Sequence, residues 1–429
     1  MDLEAGSSGG VTAGQLQSAR DEFAEQEVRR QNTGLGWQQQ AVTMLRPLQS
    51  VFDISGNTGI PKALNDFFQS ASAWGQTPSD LTARQVVINR ATDVAQSFQN
   101  AATAIQSLSQ DTDVQFRSTV DQVNRIVGQI QTYNHMALET GGSSSRDPAM
   151  DAQLHSSLEN LSQLIDFTSS KQSDGTTTIL INGDTPLLIG DRQYALQPSW
   201  TSAGAGAANP TAPSSAQLLV GSGTDITSQT TGGQLGAVLD IRNRVLASYI
   251  GDSNQPGSFN YLAEQFAGTV NQLLTAGNIS DGPPPVPGVP LFTYDATNHT
   301  NVAKTLAVDP TVTPDQLAAI SPGPPYVSNG VPLALSQMAT SSEIDGFTYS
   351  QFCGNMAANV GRQLQNAQSG VEAQQSQLAQ AQNQRQQSSG VSLNEEALIL
   401  VEFQRAYQAN ARFITVLDEL TQETVNILK

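Results

Sequence analysis

Apolar residues repeat at steps of four and three along the first third of the chain. One series contains Val87, Ala91, Val94, Phe98, Ala101, Ile105 and Leu108, and a second contains Phe116, Val120, Val123, Val127 and Ile130. A strict four–three repeat forms a narrow apolar seam, which is typical of helices that pair as in a coiled coil. Between the two series lie Asp111 and Asp113, where we predict a break in the helix with both carboxylates in solvent. Thr77, followed by Pro78, is the predicted N-cap at the start of this helical region.

The period of the pattern changes after residue 170. Residues 176–181, 186–189 and 217–220 are β-branched or aliphatic runs. The dipeptide Asp174-Gly175 precedes the first run and Asn182-Gly183 separates the first run from the second. Such dipeptides are strong signals for tight β-hairpins. The sequence therefore predicts a small antiparallel β region.

A helical pattern returns before a stretch rich in Pro and Gly. Because proline removes a backbone donor and clashes within a helix, no long helix can run through residues 281–345. Thr313 followed by Pro314 predicts one short helix inside this stretch. Its apolar residues Phe292 and Leu306 favour a loop that packs on the domain, and a flexible linker is the alternative.

The last 80 residues carry a polar seam at 360–381 and then a final helix to Lys429. Ser392 and Glu395 form a predicted capping box at its start. A long amphipathic helix at a chain terminus has little in its own domain to cover it, so we predict that its apolar face is a subunit-assembly interface. The predicted interface residues are Leu400, Phe403, Tyr407, Ala411, Ile414, Leu417 and Leu428.

These patterns predict an α+β fold that is mainly α. Its principal feature is a long, coiled-coil-like helical bundle, accompanied by a small antiparallel β region and Pro/Gly-rich loops. The predicted divisions are an N-terminal helical part of an inner domain at 1–170, the β region at 171–226, a helical return at 227–280, a loop segment packed on the domain at 281–345, and C-terminal helices at 346–429, in which 392–429 is the terminal assembly helix.

The composition of the chain excludes several classes of function. The chain of 429 residues has 20 Lys and Arg against 38 Asp and Glu, a net charge of −18. Such an acidic chain lacks the basic surface that binds nucleic acid. No apolar run reaches the roughly 18–20 residues that span a bilayer, and the first ten residues do not resemble a cleaved secretory signal. Aromatic residues make up only 6% of the chain, so we expect neighbouring subunits to supply part of its burial.

No catalytic, cofactor-binding or metal-binding constellation emerges from the sequence, so we do not expect an enzyme. The segment 56–62 lacks the spacing of a phosphate-binding loop. His135, His155 and His299 lack the spacing of a ligand set and are interpreted as polar surface residues. Cys353 has no recognisable histidine partner and is interpreted as a small buried residue. As the one cysteine of the chain, it cannot form an internal disulfide.

Two stretches near the C-terminus carry a family resemblance. Residues 389–396 read SGVSLNEE and residues 403–411 read FQRAYQANA. They resemble the C-terminal segment shared by flagellar axial proteins. With supporting matches that include DFF at 66–68, GGQLG at 232–236 and TPDQLAA at 313–319, the chain resembles the FlgK family of flagellar hook-associated proteins. The family's N-terminal helix finds no counterpart here, and we expect it to be missing.

The resemblance implies a structural, homo-oligomeric protein of the motile bacterial flagellum, at the junction between hook and filament. It implies export in the unfolded state by the flagellar type III apparatus, and an extracellular location. The implied partners are other copies of the chain in a ring or helical tube, the hook protein, a second junction protein on the filament side, and an export chaperone at the C-terminal helix. Two alternatives remain open, a surface-exposed adhesin and another axial subunit of the hook or rod type.

Overall fold

The computed structural model describes residues 20–52, 59–139, 148–282, 284–389 and 393–427. Helices dominate these residues. They are α1 (Glu22–Val51), α2 (Gly59–Gln76), α3 (Leu81–Glu139), α4 (Pro148–Leu164), α5 (Gly233–Asp240), α6 (Ala247–Ile250), α7 (Ser258–Ala276), α8 (Val302–Thr305), α9 (Gly330–Gln337), α10 (Tyr349–Ser389) and α11 (Leu393–Ile427).

The strands are short and pair antiparallel. They are β1 (Thr168–Lys171), β2 (Thr177–Ile181), β3 (Thr185–Ile189), β4 (Arg192–Gln193), β5 (Leu196–Thr201), β6 (Ser215–Val220), β7 (Thr224–Asp225), β8 (Asn278–Ser280), β9 (Val286–Pro287), β10 (Phe292–Thr293) and β11 (Ala307–Val308). They form the sheets β1-β2-β3-β4, β5-β6-β7, β8-β9 and β10-β11. The predicted fold class, mainly α with small antiparallel sheets, is confirmed.

Both hairpin predictions are also confirmed. Asn182 and Gly183 join β2 to β3 with φ of 51° and 81°, the left-handed backbone that a tight hairpin turn requires. Asp174 and Gly175 lie between β1 and β2, and Gly175 has a φ of 82°. Asparagine and glycine tolerate positive φ at little steric cost, which is why these dipeptides are reliable signals.

The chain divides into two compact units. The larger spans Arg29–Leu378, and the smaller consists of Met1–Val28 with Ala379–Lys429. The core of the larger unit is centred on the Phe266 ring of α7. Its centroid lies 5.4 Å from that of Phe67 on α2, 5.5 Å from that of Phe292 and 5.7 Å from that of Tyr349 on α10. These tilted and edge-to-face contacts join segments that are far apart in sequence.

The seam of α3 is buried as predicted, but the predicted break in the helix is wrong. Thr112 takes the seam position between the two apolar series and is 1% exposed. Its hydroxyl donates to the carbonyl oxygen of Leu108 at 2.7 Å, so the polar atom is satisfied within the helix. Asp113 is half-buried and paired with Arg242 at 2.9 Å. Asp111 is exposed, as predicted. The helix continues because the two buried or half-buried polar groups, Thr112 and Asp113, both find partners.

The start of α3 is three residues later than predicted. The Asp80 carboxylate accepts from the backbone N–H of Thr82 at 2.8 Å, which makes Asp80 the N-cap. Thr77 instead belongs to a turn in which its carbonyl accepts from the N–H of Asp80. Arg84 stabilises this turn, since its Nη2 donates a hydrogen bond to the carbonyl oxygen of Pro78 at 2.7 Å.

The Pro/Gly-rich stretch packs on the larger unit through buried apolar residues. Leu291, Leu306 and Leu317 are fully buried. Thr313 begins the predicted short helix, a 3₁₀ turn at Pro314–Gln316, and its N–H donates to the Gln316 side chain at 3.0 Å. The capping signal in the sequence is confirmed at this position.

Candidate assembly surface

Among the described residues, the helix α11 carries more exposed large apolar side chains than any other helix. It belongs to the smaller unit, and every one of its side chains that the structure describes is exposed. Helices with one apolar face ordinarily bury that face against another element. An uncovered face of this length is typical of a protein–protein interaction surface.

Four of the predicted interface residues lie on the described part of this surface. Tyr407 is 72% exposed, Ile414 62% and Leu417 48%, and Ala411 is exposed beside them. The backbone of α11 includes positions 400 and 403, but the side chains of Leu400 and Phe403 lie outside the described residues. Leu428 and the predicted cap Ser392 lie outside them entirely.

The sequence pattern missed other exposed apolar residues on the same helix. They are Val401, Phe413, Val416 and Leu420. At about 100° per residue, the apolar positions from Tyr407 to Leu420 span somewhat more than half of the helix circumference, and Val401 lies outside this arc. The surface is therefore much broader than a four–three seam. A helical wheel would have shown this, because Phe413 and Val416 each lie one position before a predicted interface residue.

Charged residues occupy mostly the opposite side of α11. Arg405, Arg412 and Glu419 are exposed and lie on the arc that faces away from Ile414. Asp418 is the exception within the apolar half. A helix with one apolar side and one polar side is amphipathic, which is typical of a helix that packs against partner helices.

A buried carboxylate joins the parts of α1 and α10 that belong to the smaller unit. Glu25 of α1 is 3% exposed, and it accepts from Arg20 at 3.1 Å and from Arg385 of α10 at 3.2 Å. A buried carboxylate requires such charged partners, because burial without them is costly. The sequence pattern gave no sign of this cluster, since its members are 360 positions apart.

The chemically reactive side chains form no shared site in the described part of the chain. His135 is 62% exposed beside Glu139, and His299 lies 3.0 Å from Glu264. The surface interpretation is wrong for His155, whose side chain is 12% exposed. Among the described residues, His, Cys, Asp and Glu form no group of three that could hold a metal ion, and no helix is long and apolar enough to cross a membrane.

Cys353 is a buried core residue, as the sequence indicated. It is 5% exposed, and burial raises the pKa of its thiol to about 12. The thiolate is the nucleophilic form of cysteine. At neutral pH this side chain is therefore an apolar packing group.

Comparison with known proteins decides the family. A model described as the flagellar hook-associated protein FlgK helical domain matches residues 45–292, more than half of the chain. The chain belongs to the FlgK family. It is therefore a flagellar protein of a structural family, as the resemblance in its sequence implied.

Other matches extend over the rest of the chain. A model described as the flagellar basal body rod FlgEFG protein C-terminal matches residues 382–427, which include α11. The flagellar hook-associated protein 1 of Bacillus subtilis is 22% identical over 97% of this chain and 86% of its own length. The flagellar hook junction protein FlgK from Burkholderia pseudomallei has a similar fold, with a TM-score of 0.71, 16% identity and coverage of 86% of this chain and all of that one.

Proposed function

We propose that this chain is a structural axial subunit that forms the junction between the flagellar hook and filament by assembling with copies of itself. The observation that carries the proposal is the uncovered apolar half of α11, in a chain whose residues 45–292 match the FlgK helical domain. The match of 382–427 to a rod-protein C-terminal model supports an axial role for that helix. The match at 45–292 favours a junction protein over a rod or hook subunit.

The driving force for assembly is burial of the α11 surface. Tyr407, Ile414 and Leu417 are each about half or more exposed in the single chain. Complete burial of one large apolar side chain typically contributes about 1.5–3 kcal/mol. Because the exposed positions cover about half of the helix circumference, we propose that α11 contacts more than one neighbouring helix in the assembled structure.

The proposed partners follow from this position in the flagellum. They are further copies of the chain, the hook protein and a second junction protein on the filament side. We propose that an export chaperone covers α11 before assembly, and that the chain acts outside the cell after export. We also propose that it is not an enzyme, since its matched family is structural.

A deletion strain tests the proposed junction role. Electron microscopy of cells that lack this chain should show completed hooks without attached filaments, and the intact gene should restore the filaments. Normal filaments on the deletion strain would contradict the proposal. Loss of the hooks themselves would point to a rod or hook subunit instead.

A further inference from the structure

A cavity with both polar and apolar side chains in its lining opens in the larger unit. It lies between the middle of α3, the loop that precedes β6, and α8. Its volume is about 420 Å³, within the roughly 300–1,000 Å³ of small-molecule sites. Gln106 and Asp113 contribute from α3, Thr211 from the loop and Lys304 from α8.

The key residue of the cavity wall is Arg242. It is 6% exposed, its Nε donates to Asp113 at 2.9 Å and its Nη2 donates to the carbonyl of Ser214 at 2.9 Å. Its third nitrogen, Nη1, has no acceptor among the described residues, although Arg242 lines the cavity. Nη1 retains access to solvent, so it is free to donate to an acceptor group inside the cavity.

The charge of the wall indicates what that acceptor is. Arg242 and Lys304 oppose the single carboxylate of Asp113, which leaves one positive charge in excess. Lys304 Nζ donates to the side-chain oxygen of Gln106 at 2.6 Å, and its other two donors remain for a ligand. A guanidinium and an ammonium that line the same cavity suit a carboxylate, since hydrogen bonds between charged groups are shorter and stronger than neutral ones.

The remainder of the wall indicates a ligand with hydroxyl groups. Gln110, Asn298 and Asn301 are amide residues of the lining, and Ile250 and Phe259 are apolar residues of it. An amide both donates and accepts, as a hydroxyl does. The apolar residues fit the C–H face of a sugar ring better than an inorganic anion, which has no apolar surface.

We propose that this cavity binds a sugar acid of monosaccharide size, with its carboxylate at Arg242 and Lys304, its hydroxyls at the amides and its ring over Ile250 and Phe259. This role is separate from assembly through α11. It does not depend on the proposed junction function.

Calorimetric titration of the purified full chain with glucuronate tests the proposal, with glucose as the uncharged counterpart. Glucuronate should bind saturably, and glucose about tenfold more weakly or not at all, because it lacks the carboxylate. The Trp200 indole donates to Asp113 in the wall at 3.1 Å, so tryptophan emission should change in the same titration. Absence of saturable binding, or equal affinity for both sugars, would overturn the proposal.

Variants of the wall locate the binding. Lys304→Gln and Gln110→Ala alter exposed side chains and should each weaken glucuronate binding about threefold or more. Lys62→Gln, which removes an exposed lysine paired with Asp66 on α2, is the matched control and should bind as the unmodified chain does. If Lys304→Gln and Lys62→Gln both bind normally, the proposed site is wrong.

A further titration, with methyl glucuronide, distinguishes a free sugar acid from the terminal residue of a glycan as the ligand. Methyl glucuronide has its anomeric oxygen capped, as in the terminal residue of a glycan. Binding of both forms would assign the site to a glycan terminus, and binding of the free acid alone would assign it to a soluble sugar acid. Either result supports the sugar-acid site, and failure of both forms to bind overturns it.

Discussion

Asparagine side chains on helices hold the short strands of this protein in place. Asn134 of α3 is fully buried, and its amide donates to the carbonyl of Thr177 at 2.8 Å while it accepts from the N–H of the same residue at 2.8 Å. Asn124 binds Leu196 in the same way, as does Asn243 with Ala216. Such short strands leave backbone groups without partners, and these amides supply the missing bonds.

We therefore expect Asn134→Asp to be strongly destabilising. Aspartate has nearly the same shape but cannot donate when ionised, so the carbonyls of Thr177 and Gly190 both lose their donor and a charge is buried. The free energy of unfolding in urea should fall by about 2–3 kcal/mol. Asn89→Asp, at an exposed position of the same helix, should change it by no more than about 0.5 kcal/mol. Equal stability of the two variants would show that the Asn134 bonds are unimportant.

These asparagines could not be identified from the sequence. A polar residue inside a helical pattern looks like a position on the solvent face, and its burial depends on a strand 43 positions away. His155 was interpreted as a surface residue for the same reason, because it is a polar residue inside a helical pattern. The local signals that proved reliable, such as Asn182-Gly183, are those in which the backbone conformation itself requires the residue.

Alkaline pH should weaken the folded chain through two neighbouring side chains of α10. Burial raises the pKa of Cys353 to about 12 and that of Tyr349 to about 12. Their ordinary values are about 8.5 and about 10. Between about pH 9 and 12 the unfolded chain loses protons that the folded chain retains, so the free energy of unfolding should fall as pH rises.

Chemical denaturation across this range measures the effect. The double variant Cys353→Ala with Tyr349→Phe should show a flatter decline with pH than the unmodified chain, because neither replacement titrates. The quantity to compare is the slope of the free energy of unfolding against pH, since the substitutions also change stability at neutral pH. Identical slopes would contradict the assigned role of these two groups.

At the scale of elements, α1 and α10 pack through glycine and glutamine within the larger unit. A Cβ on Gly34 would lie 2.7 Å from the Gln374 side chain, and a Cβ on Gly370 would overlap Gln38. Each glutamine therefore covers a glycine on the opposite helix. Hydrophobic periodicity cannot reveal such a contact. The sequence predicted α10 as a polar seam without indicating that α1 packs against it.

The close approach of α1 and α4 gives a sharper test. A Cβ on Gly36 would overlap the backbone oxygen of Gln163, whereas a Cβ on Gly268 of α7 would meet no atom within 4 Å. Gly36→Ala should therefore lower the melting temperature. Gly268→Ala should raise the free energy of unfolding by about 0.5–1 kcal/mol, because alanine is the better helix former. An increase in stability from both substitutions would contradict the Gly36 contact.

The exposed helix α11 should be weakly protected in the free chain. A helix without tertiary cover is marginally stable in water, because most helical stability in proteins comes from packing. Hydrogen exchange by mass spectrometry should show rapid exchange across 401–424 and slow exchange across the buried seam of α3, which is the internal control. Slow exchange across both segments in a verified monomer would contradict the account.

For the whole molecule, the sequence alone predicted the fold class and the family. It did so because helix periodicity and hairpin turns are local signals, and because the C-terminal motifs are specific. The breadth of the α11 surface was missed, since a strict four–three pattern excluded Phe413 and Val416. The cavity at Arg242 was also missed, because its wall combines segments up to 202 positions apart along the chain.

We propose that α11 builds the junction by burying its apolar half between subunits. The most direct test of this claim is electron microscopy of cells that produce Ile414→Asp with Leu417→Asp in place of the native chain. Secretion should continue and filaments should be absent, because two charges would enter the contact. Gln408→Asp with Gln422→Asp, on the polar arc of α11, should assemble normally. Normal filaments with the Ile414 and Leu417 variant would contradict the claim.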